Sequence, residues 1–389
     1  MSDGSERDLG WLKEDPLAEL NGLKLERLSR GAPLIDLAMI NPDLPPPRFL
    51  LDKLLEATVK PQNHRYAVSR GVRKLREAFA LKYARTFGVT LDPEREVCVT
   101  LGTKDGLVSA LRCLCQPGDR VAVAEPTYPA HISALQLAGC LPVFFDLGQS
   151  GGALVANIEG ILERERCKAV LLNLPNNPTG LVVNPDELGA VVRAAAARGV
   201  VVINDFVYGE MVHRGGAAPS ILSVESGETP KVEIYSLSKA YSVPGWRVGA
   251  LVGSAELVRQ IVRLKSHSDY GVFLPLQIAA AAGLGVNEDL AAPLTRQYAY
   301  RARVLVEGLR RLGLSVEVPA AGASVWAELP RGRGEAGSFP FVRRLLEEGG
   351  VFAIPGAVFG ERWDRHVRFA LVHGEERLRE GLQRMERCL

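Results

Sequence analysis

The feature that most constrains the fold is an alternation of short, continuously apolar segments with helical patterns, which begins at about residue 97. Strands that are apolar on both faces must be covered on both sides, so this pattern predicts an α/β fold with a mostly parallel sheet between helices. Ligands of such sheets bind beyond the carboxyl ends of the strands, so functional residues are expected directly after them. The predicted strands are seven β-branched-rich runs that start at Val97, Arg120, Leu141, Lys168, Gly199, Val232 and Val248.

The chain of 389 residues is too long for one hydrophobic core, so two domains are expected. Residues 46–284 carry the apolar strands and form the predicted large domain. The pattern then changes, after a long amphipathic stretch from Ala255 to about Leu284, to a mixture of helices and strands. Residues 31–45 and 285–389 are therefore predicted to form a smaller α+β domain, and residues 1–30 an N-terminal arm.

Charge and composition point to a small-molecule partner. The 47 basic and 45 acidic residues give a formal net charge of +2, without the basic stripe that nucleic-acid binding requires. The acidic N-terminus and the absence of an apolar run of about 18 residues predict a cytoplasmic protein with no membrane contact. Six cysteines without C-x-x-C spacing favour buried free thiols over zinc or disulfides, so no metal site is predicted.

Lys239 lies after an apolar run, between Ser236 and Ser238 on one side and Arg247 eight positions further on. An amine attacks a carbonyl only when it is neutral, and burial near positive charge lowers the pKa of a lysine toward working pH. The hydroxyl groups and Arg247 are suited to bind an anion. A carbonyl cofactor that carries a phosphate needs all of these groups, and pyridoxal 5'-phosphate (PLP) is such a molecule. The alternative is a lysine at a helix start with ordinary serine caps.

This segment resembles the Schiff-base segment of the class I and II aminotransferases, PLP enzymes of fold type I in which the corresponding lysine binds the cofactor. Further motifs occur in the order of that family, and the resemblance runs from about residue 33 to the C-terminus. It implies a fold type I transferase with a large PLP-binding domain. The segment from Lys265 to Gln277 looks closest to the branch of bacterial alanine aminotransferases and LL-diaminopimelate aminotransferases.

A phosphate site is predicted where the first strand of the large domain ends. Gly102, Thr103 and Lys104 open a helical pattern there, and a helix N-terminus offers unpaired N–H groups and a partial positive charge to an anion. The alternative is a simple helix cap at Thr103. The resemblance implies that Thr103 and Lys104 bind the cofactor phosphate, and that Tyr128, after the next strand, stacks on the cofactor ring.

Three further polar residues follow predicted strands. Asn177 lies in a segment that resembles the N-P-T-G signature of the family, which implies a hydrogen bond to the phenolic oxygen of the cofactor; turn chemistry alone also explains this segment. Asp205 ends a very apolar run, so its carboxylate is expected at a ligand crevice or beside a cation, although a helix N-cap is the alternative. The resemblance implies that Asp205 pairs with the ring nitrogen and that Tyr208 hydrogen-bonds the ring oxygen.

Residues near both ends of the chain extend the resemblance. It implies that Tyr66 reaches the cofactor phosphate of a neighbouring subunit, so that a homodimer shares its active sites, and that Arg368 binds the substrate α-carboxylate by a planar two-bond contact. Ile40 departs from the branch, which usually has glycine there, and its branched side chain would narrow the substrate pocket. Tyr270 and Trp11 are further candidates for contact with the substrate side chain.

The predicted function is a ping-pong aminotransferase in which Lys239, Asp205 and Tyr208 are catalytic. Alanine or a similar L-amino acid is the expected donor and 2-oxoglutarate the acceptor. An LL-diaminopimelate aminotransferase and a PLP-dependent carbon–sulfur lyase of the same fold are the alternatives. A transcription regulator would need a DNA-binding domain larger than the predicted arm, and a nicotinamide dehydrogenase would need a G-x-G-x-x-G segment after a strand.

Overall fold

A computed structural model of the protein describes residues 15–225, 227, 229–330 and 337–389. The strands of these residues alternate with helices along most of the chain. They are β1 (Ile35–Asp36), β2 (Val97–Thr100), β3 (Arg120–Glu125), β4 (Leu141–Asp146), β5 (Ala169–Leu172), β6 (Val201–Asp205), β7 (Lys231–Ser236), β8 (Gly249–Gly253), β9 (Ser315–Val316), β10 (Ser324–Glu328), β11 (Val351–Phe352), β12 (Ile354–Pro355) and β13 (His366–Ala370).

The α-helices of the same residues range from single turns to five turns. They are α1 (Ala18–Ser29), α2 (Arg48–Thr58), α3 (Arg73–Phe87), α4 (Thr103–Leu114), α5 (Pro129–Ala138), α6 (Gly151–Arg164), α7 (Pro185–Ala196), α8 (Leu237–Ala240), α9 (Ala255–Ser266), α10 (Leu274–Gly285), α11 (Ala292–Arg311), α12 (Ser338–Arg344) and α13 (Glu375–Glu386).

The central sheet has seven strands in the order β2-β8-β7-β6-β5-β3-β4. The pairs from β7 to β4 are parallel, whereas β8 runs antiparallel to both of its neighbours. The seven apolar segments of the sequence coincide with β2 to β8, so the predicted α/β fold with a mostly parallel seven-stranded sheet is confirmed. Apolar helices cover both faces, as the sequence pattern requires: α4, α5 and α9 pack on one face, and α6 and α7 on the other.

A second sheet, in the order β12-β13-β10-β9, forms further along the chain, and β1 pairs with β11 in a parallel two-stranded sheet. These strands and α11 to α13 form the α+β part that the sequence pattern indicates. The predicted N-terminal arm contains α1, which is anchored here: Lys24 Nζ lies 2.5 Å from Asp36 Oδ2, and Arg343 Nη1 lies 2.6 Å from Glu19 Oε1. The domain boundaries at residues 46 and 285 stay a prediction, and Trp11 lies outside the described residues.

The predicted amphipathic stretch from Ala255 to Leu284 is two helices, α9 and α10. The helical conformation is interrupted between them at Gly271, whose φ of +79° lies in the left-handed region. Pro275 then occupies the first turn of α10, where the missing backbone N–H removes no helical hydrogen bond. The described part of the chain contains no helix that is both long and apolar enough to cross a membrane.

Candidate active site

The candidate site lies at the edge of the central sheet where β2 and β7 end and β8 begins. Gly249 pairs with Ser236 of β7 on one side and with Thr100 of β2 on the other. The helix that follows β2 and the lysine segment that follows β7 therefore start next to each other. This is the edge at which the strand pattern predicted a ligand.

The N-terminus of α4 forms a cradle beside Arg247. Gly102 is the N-cap residue, with φ +80° and ψ −174°, a conformation open only to glycine. A Cβ at this position would lie 2.2 Å from Nη2 of Arg247, so glycine is what lets the guanidinium approach the helix end. Thr103 is the first helical residue and not the cap, and Lys104 is exposed. The cradle thus combines free helical N–H groups with a cation, a combination suited to phosphate.

Ser236 and Ser238 lie on the other side of the cradle, at the start of the lysine segment. Ser236 is the N-cap of α8: its Oγ accepts the N–H of Ser238 at 3.2 Å, and the two hydroxyl groups lie 2.9 Å apart. Both side chains are buried. The structure brings both predicted serines to this edge, and the hydroxyl group of Ser236 also caps the helix, as the alternative interpretation held.

Lys239 is partly buried, and its Nζ donates a hydrogen bond to the carbonyl oxygen of Ile40. Burial, followed by the positive charges of Arg368 and Arg247, lowers the pKa of Lys239 from 10.5 to about 8. A substantial fraction of the amine is then neutral near physiological pH, which is the condition for nucleophilic attack on a carbonyl.

Asp205 ends β6 in a buried position and is held by a histidine that the sequence pattern did not single out. Asp205 Oδ2 lies 3.1 Å from His131 Nε2, and His131 Nδ1 lies 2.9 Å from Thr127 Oγ1. A neutral His131 satisfies both contacts if Nε2 donates and Nδ1 accepts the Thr127 hydroxyl. The sequence shows a histidine three residues after Tyr128 in the apolar pattern of α5, but this local pattern does not indicate a contact with Asp205.

The other carboxylate oxygen of Asp205, Oδ1, is buried and has no hydrogen-bond partner among the described residues. A buried acceptor without a partner costs free energy, so its natural complement is a ligand donor. The protonated ring nitrogen of PLP is such a donor.

A chain of amide contacts connects Asp205 to Arg368. Asn173 Nδ2 donates to the backbone oxygen of Asp205 at 2.7 Å, and Asn173 Oδ1 accepts the N–H of Asn177 at 2.9 Å. Arg368 Nη1 donates to Asn177 Oδ1 at 3.1 Å, which leaves the Nδ2 of Asn177 as a donor, and Nη2 donates to the Ala38 carbonyl. Arg368 Nε is buried without a partner in the described part of the chain, so it is available to an anionic ligand.

Tyr128 and Tyr208 are also close to the charged groups of the site. Burial raises the pKa of both tyrosines, so their hydroxyl groups stay protonated and can donate. The ring of Tyr128 lies 5.7 Å from the ring of His131, at 90° to it, which places Tyr128 near the Asp205 contact. Tyr208 is buried, three residues after Asp205.

Tyr66 and Tyr270 differ from these residues because they are exposed, by 85% and 66% respectively. Their rings contact each other with centroids 4.6 Å apart and planes tilted by 33°. The role of Tyr66 at a neighbouring subunit therefore stays a prediction.

The residues present fit PLP on three independent features. The cradle at α4 suits the phosphate, the unpartnered Oδ1 of Asp205 suits the ring nitrogen, and the amine of Lys239 suits the aldehyde. The unpartnered Nε of Arg368 suits the carboxylate of a second molecule, the substrate.

Comparison with known proteins agrees with this geometry and confirms the family resemblance. The family model of aminotransferase class I and II matches residues 32–385. The glutamate-pyruvate aminotransferase AlaC of Escherichia coli is 37% identical over 369 residues, which cover 93% of this chain and 88% of that protein. An LL-diaminopimelate aminotransferase of Moorella thermoacetica is 36% identical, with 94% of this chain and 93% of that protein covered. The substrate-bound structure of BacF from Bacillus subtilis superposes with a TM-score of 0.90 at 32% identity and covers 98% of both chains. The chain therefore belongs to the class I and II aminotransferases, which are PLP-dependent enzymes.

Proposed function

We propose that the enzyme transfers the amino group of a small L-amino acid, such as alanine, to 2-oxoglutarate. The observation that carries this proposal is a pair of buried atoms that have no hydrogen-bond partner among the described residues: an acceptor, Asp205 Oδ1, and a donor, Arg368 Nε. Both lie in the site that contains the amine of Lys239. The first suits a cationic ring nitrogen and the second a substrate carboxylate. AlaC is named for glutamate and pyruvate, which are the products when alanine donates its amino group to 2-oxoglutarate, so the similarity to AlaC supports this pair of substrates.

In the proposed mechanism Arg368 binds the α-carboxylate of the amino acid. Its Nε and Nη2 form two parallel donors, and a carboxylate that takes both is fixed in one orientation. The contact of Nη2 with the Ala38 carbonyl would be exchanged for the substrate. Burial lowers the pKa of Arg368 from 12.5, but a guanidinium keeps its charge in proteins.

Lys239 is the proposed general base and acid at the substrate Cα. When bound, PLP supplies an electrophilic carbon and a ring that draws electrons away from Cα. The Nζ of Lys239, with its pKa of about 8, is then suited both to remove the Cα proton and to return a proton. Asp205, held by His131, is the proposed partner of the ring nitrogen, and Asn177 and Tyr208 are proposed donors to the ring oxygen.

Ile40 is the proposed limit on substrate size. Its backbone oxygen contacts Lys239 Nζ, and its side chain is 7% exposed. The side chain of Ile40 itself belongs to the main apolar cluster. We propose that a branched residue whose carbonyl contacts the reacting amine leaves less room for the substrate than the glycine expected from the branch. This argues for small donors, with alanine first.

A panel of amino acids tests the substrate proposal. Each is mixed with the holoenzyme without an acceptor, and amino-group transfer is followed by the change in the cofactor spectrum. Alanine should react fastest. The variant Ile40→Gly should gain larger donors while it retains alanine. A preference of the unaltered enzyme for bulky or aromatic donors would refute the size argument.

LL-diaminopimelate is the second candidate donor because the Moorella thermoacetica relative, 36% identical, is named for that activity. A faster spectral change with LL-diaminopimelate than with alanine would favour it. The lyase alternative would instead leave the spectrum unchanged while pyruvate accumulates from a β-substituted amino acid.

We also propose that two copies of the chain form a homodimer with shared sites. Exposed aromatic residues support this proposal, since Tyr66, Tyr270 and Phe273 are 85%, 66% and 44% exposed, and such patches commonly mark protein interfaces. Sedimentation of the holoenzyme should give the mass of a dimer, and Tyr66→Ala should weaken cofactor binding. A monomer with full activity would refute this proposal.

A further inference from the structure

An ion cluster around a buried lysine lies next to the N-terminal end of α4, in the segment whose sequence resembles one branch of the family. The side chain of Lys265, in the last turn of α9, is 1% exposed, and its Nζ lies 2.8 Å from Asp105 Oδ2 and 2.7 Å from Asp269 Oδ2. Burial alone would lower the pKa of Lys265, but hydrogen bonds to the two carboxylates raise it above 10.5. The proposed catalytic steps use none of these three residues.

Asp105 connects the cluster to the phosphate cradle. It lies in the first turn of α4, and the same oxygen that contacts Lys265 accepts the N–H of Leu101 at 2.9 Å. The carboxylate thus closes the loop that carries Gly102 and Thr103. Because a buried cation holds this carboxylate, the orientation of the loop depends on Lys265.

Asp269 connects the same cluster to the exposed tyrosine pair. Its Oδ1 accepts the N–H of Gly271 at 2.6 Å, and its backbone oxygen accepts the hydroxyl of Ser69 at 2.5 Å. Tyr270 lies between these two contacts, and its ring contacts that of Tyr66 with centroids 4.6 Å apart. The positions of both tyrosines therefore follow the position of Asp269.

We propose that Lys265 is a positioning residue for the binding of the cofactor phosphate. It holds the cradle of α4 and the Tyr66–Tyr270 pair in one fixed arrangement, through Asp105 on one side and Asp269 on the other. The role rests on the proposed function, since it requires that the cradle bind the phosphate of PLP.

The test compares cofactor forms with and without a phosphate. Apoenzyme of the unaltered protein and of Lys265→Met is titrated with PLP and with pyridoxal, and both dissociation constants are measured from absorbance. Lys265→Met should raise the dissociation constant of PLP about tenfold or more, by analogy with residues that orient metal ligands, and should change that of pyridoxal far less. An equal change for both ligands, or no change, would overturn the proposal.

The variant Asp105→Asn distinguishes a positioning role of the cluster from a simple effect of its charge. Lys265→Met makes the cluster more negative, whereas Asp105→Asn makes it more positive, so a simple charge effect on the phosphate predicts opposite changes. Positioning predicts that both variants weaken PLP binding relative to pyridoxal. Tighter or unchanged PLP binding by Asp105→Asn would refute positioning.

A general loss of stability is controlled by Val191→Ala, a cavity variant in α7 on the opposite face of the sheet, where Val191 is fully buried. At a similar loss in free energy of unfolding, this variant should bind PLP as tightly as the unaltered protein does. If the unaltered protein binds neither ligand, the proposed cofactor site itself is refuted. If it binds both and Lys265→Met weakens both equally, only the role of Lys265 is lost.

Discussion

Replacing Lys239 with methionine should change how the stability of the cofactor-free enzyme depends on pH. In the folded chain the pKa of Lys239 is about 8, against an ordinary value of 10.5. Between these two values the unfolded chain binds more protons than the folded chain, so the free energy of unfolding of the wild type rises with pH. The cost of burying the ammonium is thus fully present below about pH 8 and is relieved by about pH 10.5. The variant carries no amine and lacks this contribution.

The magnitude follows from the two pKa values. Integrated from about pH 7 to about pH 9.5, the difference in proton binding amounts to at most ~2 kcal/mol. Partial exposure of the side chain reduces this figure, so we expect a gain of about 1–2 kcal/mol for the wild type relative to the variant. The other titrating groups are common to both proteins and cancel.

Urea unfolding of both apoproteins at the two pH values measures this difference, because the free energy of unfolding extrapolates linearly with urea concentration. If the free energies of unfolding of the wild type and of Lys239→Met change equally between the two pH values, the ammonium form of Lys239 is not destabilised by its folded surroundings. The basis for the role of Lys239 as a nucleophile then fails.

Three further outcomes are expected. Gly102→Ala places a Cβ 2.2 Å from Arg247 Nη2 in a backbone conformation that only glycine adopts. Cofactor affinity measured by titration should therefore fall by the equivalent of ~1–3 kcal/mol, and unchanged affinity would refute phosphate binding at the N-terminus of α4. His131→Phe removes the contact with Asp205 and should lower kcat roughly 10–100-fold. His131→Gln can still donate a hydrogen bond and should retain more activity, so equal rates for the two variants would exclude the hydrogen bond as the cause. Asn184→Ala removes the capping box of α7 and should cost ~0.5–2 kcal/mol of unfolding free energy without an effect on kcat; a fall in kcat would show that α7 contributes to the site.

The central sheet could be predicted from sequence because its strands are buried on both faces. Such strands are mostly apolar, and β5 and β6, flanked by other strands, are buried at every position. The two polar residues of β6, Asn204 and Asp205, lie at its carboxyl end. Strands of two residues, such as β1, β11 and β12, are too short to show a period. They are defined by long-range pairing, which the local pattern does not contain.

The lysine segment could also be predicted, because its chemistry is local: a neutral amine, two hydroxyl groups and an arginine lie within twelve positions. The role of His131 could not be predicted, because His131 is separated from Asp205 by 74 positions and contacts it only when α5 packs against the sheet. The unpartnered Nε of Arg368 likewise becomes visible only when its surroundings are folded. The division of the amphipathic stretch from Ala255 to Leu284 into α9 and α10 was not predicted, because apolar residues recur on both sides of Gly271 and Pro275.

The reversed direction of β8 has a consequence for how the active site tolerates change. In a purely parallel sheet the chain must cross over, usually through a helix, before it can return to the same edge. Here the polypeptide leaves β7 at Ser236 and enters β8 at Gly249 on that same edge. The amine of Lys239 and the guanidinium of Arg247 therefore both lie on the short connection between these strands. Insertions and circular permutation should consequently leave activity intact in connections far from the site. Between β7 and β8 they should abolish it, because added length would separate Lys239 from Arg247.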